Sequence, residues 1–307
     1  MSIKIQNITK SFGTVNALKG VSFEVGEGEL FGLIGPDGGG KTTLFRILTT
    51  LMLPDSGTAT VAGMSLDDYQ GIRRSAGYMP GRFSLYQDLT VEENLKFFAS
   101  IFGTTVAENY HLIEDIYRQI EPFRNRRAGA LSGGMKQKLA LSCALVHRPK
   151  VLFLDEPTTG VDPVSRAEFW EMLNRLKQTG IPILVSTAYM DEASLCDRVA
   201  LIQEGKILQV DTTANITRGF KRKLFALKTN KVYEVVTLLQ GYTHTHSVYP
   251  FGEYVHYTDT REGAGVDELK AFLADNGHPD ADVTQIQPGI EDSFMELAAE
   301  ENLATVL

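Results

Sequence analysis

Nine consecutive residues, Gly35-Pro36-Asp37-Gly38-Gly39-Gly40-Lys41-Thr42-Thr43, satisfy the spacing G-x-x-x-x-G-K-[ST]. Glycines at these positions let a loop wrap so that successive main-chain amides face one point. A helix opening directly behind the loop adds its positive dipole end to the same point. Such a loop captures phosphate. Lys41 brings a mobile positive charge suited to β- and γ-phosphates, and the Thr42 hydroxyl can ligate Mg²⁺. The same nine residues could be a plain glycine turn, but the flanks argue for the site. Residues 29–34 (ELFGLI) form a short apolar run that reads as a strand, and residues 42–53 carry apolar residues at helical spacing.

A second constellation, Val151-Leu152-Phe153-Leu154-Asp155-Glu156, places two carboxylates at the end of an apolar run. Strand ends of this kind host sites in α/β proteins. Asp155 is suited to hold Mg²⁺ through water, and Glu156 to orient or polarise an attacking water as the catalytic residue. The alternative, an exposed acidic turn before Pro157, leaves the pairing with the glycine-rich loop unexplained.

The elements that must position these groups are legible around them. Strand-like and helix-like segments alternate up to about residue 211, which predicts an α/β domain on a largely parallel sheet. Further strands are expected at 150–154 and 182–186, and a hairpin at 198–210 turning at Glu204-Gly205. Residues 90 to about 147 read as a helical subdomain, opened by Thr90-Val91-Glu92-Glu93, whose spacing matches a capping box. After Asp211 the character changes. A polar, basic linker is expected at 212–222, followed by a small α+β domain at 223–307 of split βαβ type. Its strands are expected at 223–228, 253–258 and 283–286, and its helices at 232–239 and 266–276. His244 and His246 read as a pair on a polar strand without a nearby carboxylate or third ligand, and so as exposed surface rather than a metal site.

Composition bounds the rest. The chain has 307 residues, of which 43% are hydrophobic and 22% charged, an ordinary globular balance. Its formal charge of −8 lacks the basic stripe of a protein that grips nucleic acid. Cys143 and Cys196 are the only cysteines and both lie in apolar contexts, which disfavours a disulfide or zinc scaffold and fits a reducing cytosol. The N-terminal residues lack a signal-peptide pattern, and no window approaches the roughly 18 apolar residues of a spanning helix. Any membrane contact is therefore expected to be peripheral.

Between the two constellations lies Leu131-Ser132-Gly133-Gly134-Met135, with Ser132 at the N-cap of a helix expected to run to about residue 147. With the two motifs above, in this order and spacing, the sequence resembles the ATP-binding subunits of ABC transporters over residues 2 to about 211. The resemblance implies a phosphate-loop NTPase fold that binds ATP and Mg²⁺. In that family Ser132, Gly133 and Gly134 would meet the γ-phosphate held by a partner subunit, so that two chains enclose two nucleotides. Phe12 would stack on adenine, and Asp162, in Gly160-Val161-Asp162-Pro163, would lie in the loop joining the two sites. It also implies an integral membrane permease as partner, a second ATPase subunit, and a place on the inner face of the cell membrane. The stretches Tyr86-Gln87-Asp88-Leu89-Thr90 and Pro288-Gly289-Ile290-Glu291-Asp292 are similar to exporters of drugs, lipids and polymers.

Two positions depart from the family pattern, and both fall on groups that sense the γ-phosphate. Gly81 stands where a glutamine normally helps ligate Mg²⁺, and Ala188 where a histidine normally contacts the phosphate and water. Neither replacement side chain can make a hydrogen bond. Gln87, six residues beyond Gly81, matches the permease-facing surface better than the site. The expectation is ATP binding with slow hydrolysis, in a pair formed either with a second copy or with a complete, different subunit. Two other readings are a nucleotide-gated regulatory subunit and a soluble ABC ATPase acting on ribosomes. The single phosphate loop and net acidity weigh against the second of these.

Overall fold

The computed structural model describes residues 2–306, the side chains of 302–306 excepted. Two compact units emerge, residues 1–213 and 214–307.

The first unit contains two sheets. In chain order its elements are β1 (Ile3–Phe12), β2 (Val15–Val25), β3 (Leu30–Ile34), α1 (Lys41–Leu48), β4 (Ser56–Val61), β5 (Met64–Ser65), α2 (Tyr69–Ser75), β6 (Ala76–Met79), α3 (Val91–Ile101), α4 (Tyr110–Tyr117), α5 (Gly133–Leu145), β7 (Val151–Asp155), α6 (Pro163–Lys177), β8 (Ile183–Thr187), β9 (Arg198–Gln203) and β10 (Lys206–Asp211). Six strands form the main sheet in the order β10-β9-β3-β8-β7-β6, parallel throughout except for the β9–β10 hairpin. Strands β3, β7 and β8 are buried at every position, as parallel strands covered on both faces must be, which explains their unbroken apolar runs. The second sheet, antiparallel in the order β2-β1-β4-β5, lay outside the sequence expectation. Its inner strand β1 bulges at several positions against β2 and β4, and the bulges interrupt the two-residue alternation that marks a strand in sequence. Phe31, Phe45, Phe153 and Leu184 sit in the common core, fully shielded from solvent.

Local chemistry sets the helix ends. The capping box closes at Thr90, whose hydroxyl accepts from the Glu93 amide at 3.2 Å while the Glu93 carboxylate accepts from the Thr90 amide at 2.8 Å. Helix α1 stops at Leu48, short of the expected residue 53, because Thr50 turns left-handed at φ 59° and the Leu51 amide folds back to the Arg46 carbonyl.

The second unit follows α7 (Thr213–Arg218), a helix inside the stretch read as a linker. It comprises β11 (Leu224–Lys228), α8 (Val232–Gln240), β12 (Thr245–Phe251), β13 (Tyr254–Asp259), α9 (Val266–Asp275), β14 (Asp282–Ile286) and α10 (Ile290–Val306). The sheet order β12-β13-β11-β14, antiparallel throughout, is the split βαβ arrangement. The polar strand read at the two histidines is β12, which contains His246 and runs on to Phe251. Its Pro250 is tolerated because β12 is an edge strand. His244 precedes that strand and sits edge-on to Tyr242.

Helix α10 is tied to this sheet through one buried carboxylate. Asp292 accepts hydrogen bonds from His256 Nδ1 at 2.6 Å, the Tyr249 hydroxyl at 2.7 Å and the Gly289 amide at 2.7 Å. Burial alone would push this carboxyl up, but the His256, Gly289 and Tyr249 bonds together outweigh it and hold it below the ordinary carboxylate range. The stability contributed is present above the unfolded-state value near 4 and is lost as pH falls through the lower folded value. Asp292→Asn should therefore lower stability by about 2 kcal/mol at pH 7. In urea titrations the gap to the unaltered chain should narrow as pH falls below the ordinary carboxylate range and through the lowered folded value.

Candidate nucleotide site

The site is assembled where three adjacent parallel strands end. The glycine-rich loop leaves the end of β3, Asp155 ends β7, and Ser186-Thr187 end β8. The Gly35 amide donates to the Thr187 carbonyl at 3.2 Å, which pins the start of the loop to β8. Two glycines are sterically required. A Cβ at Gly35 would run into the Ile202 carbonyl oxygen, and one at Gly40, where φ is 103°, would lie 2.6 Å from the Ala17 carbonyl oxygen. The loop is thus wedged between β9 and β2, with Lys41 opening α1 directly behind it.

Lys41 is only 3% exposed, and a buried ammonium requires partners. It donates to the Gly35 and Pro36 carbonyls at 2.7 and 2.9 Å and pairs with Glu156 Oε1 at 3.1 Å. Asp37 Oδ1 lies 3.9 Å away on the exposed side of the loop. Asp155 is 2% exposed, and its Oδ1 accepts from the Thr42 hydroxyl at 3.2 Å and the Ser186 hydroxyl at 2.6 Å. Burial raises its pKa above the ordinary carboxylate value. The Ser186 and Thr42 bonds and the Lys41 charge pull the other way, and the Glu156 charge adds to the rise. A carboxylate and a hydroxyl oxygen side by side, in a place that disfavours uncompensated negative charge, suit a hard divalent cation. Thr42 and Asp155 are the residues that would hold Mg²⁺, and the loop fits a phosphate chain.

Glu156 adopts φ 49°, a left-handed conformation uncommon for any residue but glycine. Its amide donates to the Ser186 carbonyl at 3.1 Å and to the Ser186 hydroxyl at 3.0 Å. Ser186 was passed over in sequence as one more strand residue. The signal that could have found it is a hydroxyl at the end of an apolar parallel strand, level with Asp155 on the neighbouring one.

The remaining candidates fall into two groups. Phe12, 47% exposed, ends β1 opposite Val15 of β2, two residues before the Ala17 that abuts Gly40. It is open for stacking on the loop side of the unit. Ser132 caps α5 by accepting from the Met135 amide at 3.4 Å, and Asp162 caps α6 by accepting from the Ser165 amide at 3.0 Å. That bond holds the Asp162 carboxyl below its ordinary value. The two caps adjoin, since a Cβ at Gly134 would come within 2.7 Å of Ser165 Oγ. Ser132 and Gly133 are exposed, and among the described residues neither Ser132 nor Asp162 bonds to the glycine-rich loop of its own chain.

A Cβ at Gly81 would lie 3.0 Å from the Asp155 carbonyl oxygen, so position 81 lines the site but carries no donor. Gln87 is exposed, and its main-chain carbonyl accepts from the Gly129 amide at 2.9 Å, in the helical part of the unit. Ala188 follows Thr187, whose hydroxyl accepts from the Tyr189 amide at 3.0 Å and so closes the turn.

A mostly parallel sheet with a glycine-rich loop at one strand end and an acidic pair at another defines a phosphate-loop nucleotide-binding protein. Residues 18–159 match the family described as ABC transporter. The chain is 34% identical over 307 residues to Nod factor export ATP-binding protein I of Rhizobium sp. (strain N33), covering 98% of each. It is 44% identical over 217 residues to the probable multidrug ABC transporter ATP-binding protein YbhF of Escherichia coli (strain K12). That match takes in 68% of this chain and 37% of the relative, so the chain spans little more than a third of that protein's length. Among solved structures, one described as the ATP binding subunit of an ABC transporter superposes with a TM-score of 0.65 at 30% identity, over 72% of this chain and 93% of that one. A dimeric bacterial ABC transporter cassette superposes with a TM-score of 0.62 at 26% identity, over 68% and 98%. The chain belongs to the ABC transporter ATP-binding proteins.

Lys41→Ala should weaken Mg·ATP binding at least a hundredfold by calorimetry, since it removes the buried ammonium that faces the loop. Phe12→Ala should weaken it by about tenfold, the scale of one lost aromatic–base stack.

Proposed function

We propose that this chain is the ATP-hydrolysing subunit of an ABC exporter, docked on an integral membrane permease and paired with a second ATPase subunit around two nucleotides. The observation that carries the reading is the convergence of the amide loop, Lys41, Thr42, Asp155 and Glu156 at three neighbouring strand ends. Mg²⁺ held by Thr42 and Asp155 would supply positive charge to the phosphates. Lys41 exchanges its Glu156 contact for phosphate, and the freed Glu156 carboxylate accepts a hydrogen bond from the attacking water and orients it. The start of α5, with Ser132 and Gly133 exposed, fits a γ-phosphate presented by a partner. Export as the direction is supported by the export and multidrug names of the relatives.

A permease partner is supported by an apolar groove beside position 81. A cavity of about 320 Å³ is lined by Tyr78, Met79, Leu85, Phe98, Phe102 and His147, among others. His147 stacks on Phe102 at 3.7 Å between ring centroids, and burial brings its pKa down to about 4, so it is neutral at pH 7 and Arg73 is the charged residue of the lining. Such a groove suits an apolar segment of a membrane protein. No helix among the described residues is long and apolar enough to cross a membrane.

Gly81 and Ala188 favour a finer reading in which ATP is bound firmly but hydrolysed slowly at this chain's own site, while its α5 start serves the site of a complete partner. In its limit this becomes a regulatory subunit with little turnover. Turnover of the purified chain and of its membrane complex tests both levels. Copurification with a membrane protein, and loss of complex turnover with Ser132→Arg, are the expected results. Ala188→His, alone or with Gly81→Gln, should raise the chain's own turnover at least tenfold. Turnover that is already brisk and abolished by Glu156→Gln would contradict the slow-site reading.

A further inference from the structure

The end of β8 carries two buried hydroxyl residues in an otherwise apolar strand, Ser186 at 0% exposure and Thr187 at 1%. A hydroxyl in such a place is costly unless its hydrogen bonds are made. Thr187 uses its own on the turn at Tyr189. Ser186 makes two, and both go to the acidic pair. Its hydroxyl donates to Asp155 Oδ1 at 2.6 Å and accepts from the Glu156 amide at 3.0 Å.

These contacts have separate consequences. The Thr42 and Ser186 hydroxyls converge on the same oxygen, Oδ1, and among the described residues Asp155 Oδ2 accepts no hydrogen bond. The carboxylate is therefore rotationally fixed, with Oδ1 engaged and Oδ2 available. The other contact falls on a strained residue. A left-handed conformation at Glu156 persists only where its surroundings hold it, and the forked bond from its amide to the Ser186 carbonyl and hydroxyl does so. Register makes this possible, because Asp155 and Ser186 are partners across the parallel β7–β8 pair.

The geometry points to Ser186 as the positioning residue of this site: a single buried hydroxyl that orients the metal-holding carboxylate of Asp155 and fixes the backbone from which Glu156 projects. Ser186 touches neither nucleotide nor water in this role and acts through its two neighbours. With no hydrogen-bonding side chain at Ala188, Ser186 is the β8 side chain that addresses the acidic pair. The inference rests on the reading of the site as one for Mg·ATP.

The test uses the full chain with Ser186→Ala and Ser186→Thr. Binding of a fluorescent ATP analogue is measured without Mg²⁺ and across a Mg²⁺ titration, alongside turnover and thermal melting. Ser186→Ala should raise the Mg²⁺ concentration for half-saturation about tenfold and lower kcat by a similar factor, the scale of one charge-assisted hydrogen bond. Mg²⁺-free nucleotide affinity should stay within about twofold, because the glycine-rich loop is untouched. Ser186→Thr, which keeps the hydroxyl, should restore both quantities. Unchanged Mg²⁺ dependence in Ser186→Ala overturns the proposal, as does a loss of Mg²⁺-free binding in step with melting temperature that threonine fails to restore. If the alanine variant does not fold, Ser186→Cys takes its place with the same shifts expected. An unaltered chain that shows no Mg²⁺-dependent nucleotide binding overturns the underlying reading instead, and that control separates the two failures.

Discussion

A buried carboxylate whose charge needs compensation organises this protein. Asp155 lies at the bottom of the site with almost no contact with solvent, and burial disfavours its charge. Everything around it answers that cost. Two hydroxyls from different segments donate to it, the Lys41 ammonium stands nearby, and the place suits a divalent cation. Because those hydroxyls come from α1 and β8 while the carboxylate comes from β7, the site exists only when the parallel sheet is formed and in register.

The same dependence explains the tight packing of the glycine-rich loop. Its anion-binding power lies in main-chain amides, so the loop must be held by its neighbours without side chains of its own in the way. The Gly35 and Gly40 contacts with Ile202 and Ala17 do this from opposite sides. The close approach of Gly134 to Ser165 has a parallel effect at the other candidate phosphate contact, where it sets the start of α5 against α6 and leaves Ser132 exposed. In both places glycine trades a side chain for proximity.

The C-terminal unit follows a different logic. Its sheet is antiparallel, with α8 and α9 contributing to an apolar core that includes Phe225, Leu227 and Leu273. Helix α10 buries Phe294 and Ala298 and adds polar contacts, through Asp292 to His256 and Tyr249 and through Glu296 to Arg222 at 3.8 Å. A helix fastened by a buried polar network is held in one orientation, because only one geometry satisfies every donor and acceptor.

The sequence alone determined the phosphate chemistry, the parallel sheet, the capping boundaries at Thr90 and Ser132 and the small split βαβ unit. Each of these is written in local spacing: a glycine count before a lysine, an unbroken apolar run, a cap three residues ahead of its partner. The antiparallel sheet of β1, β2, β4 and β5 was not legible, because bulges break the alternation that would announce it. The extent of β12 was hidden by Pro250, which only its edge position makes acceptable. Tertiary structure also decided that Gln87 turns to Gly129 and that Lys41 pairs with Glu156. Ser186 is the clearest case. Its role depends on which residue stands across from it on a neighbouring strand, and strand register is a property of the folded sheet that no local pattern encodes.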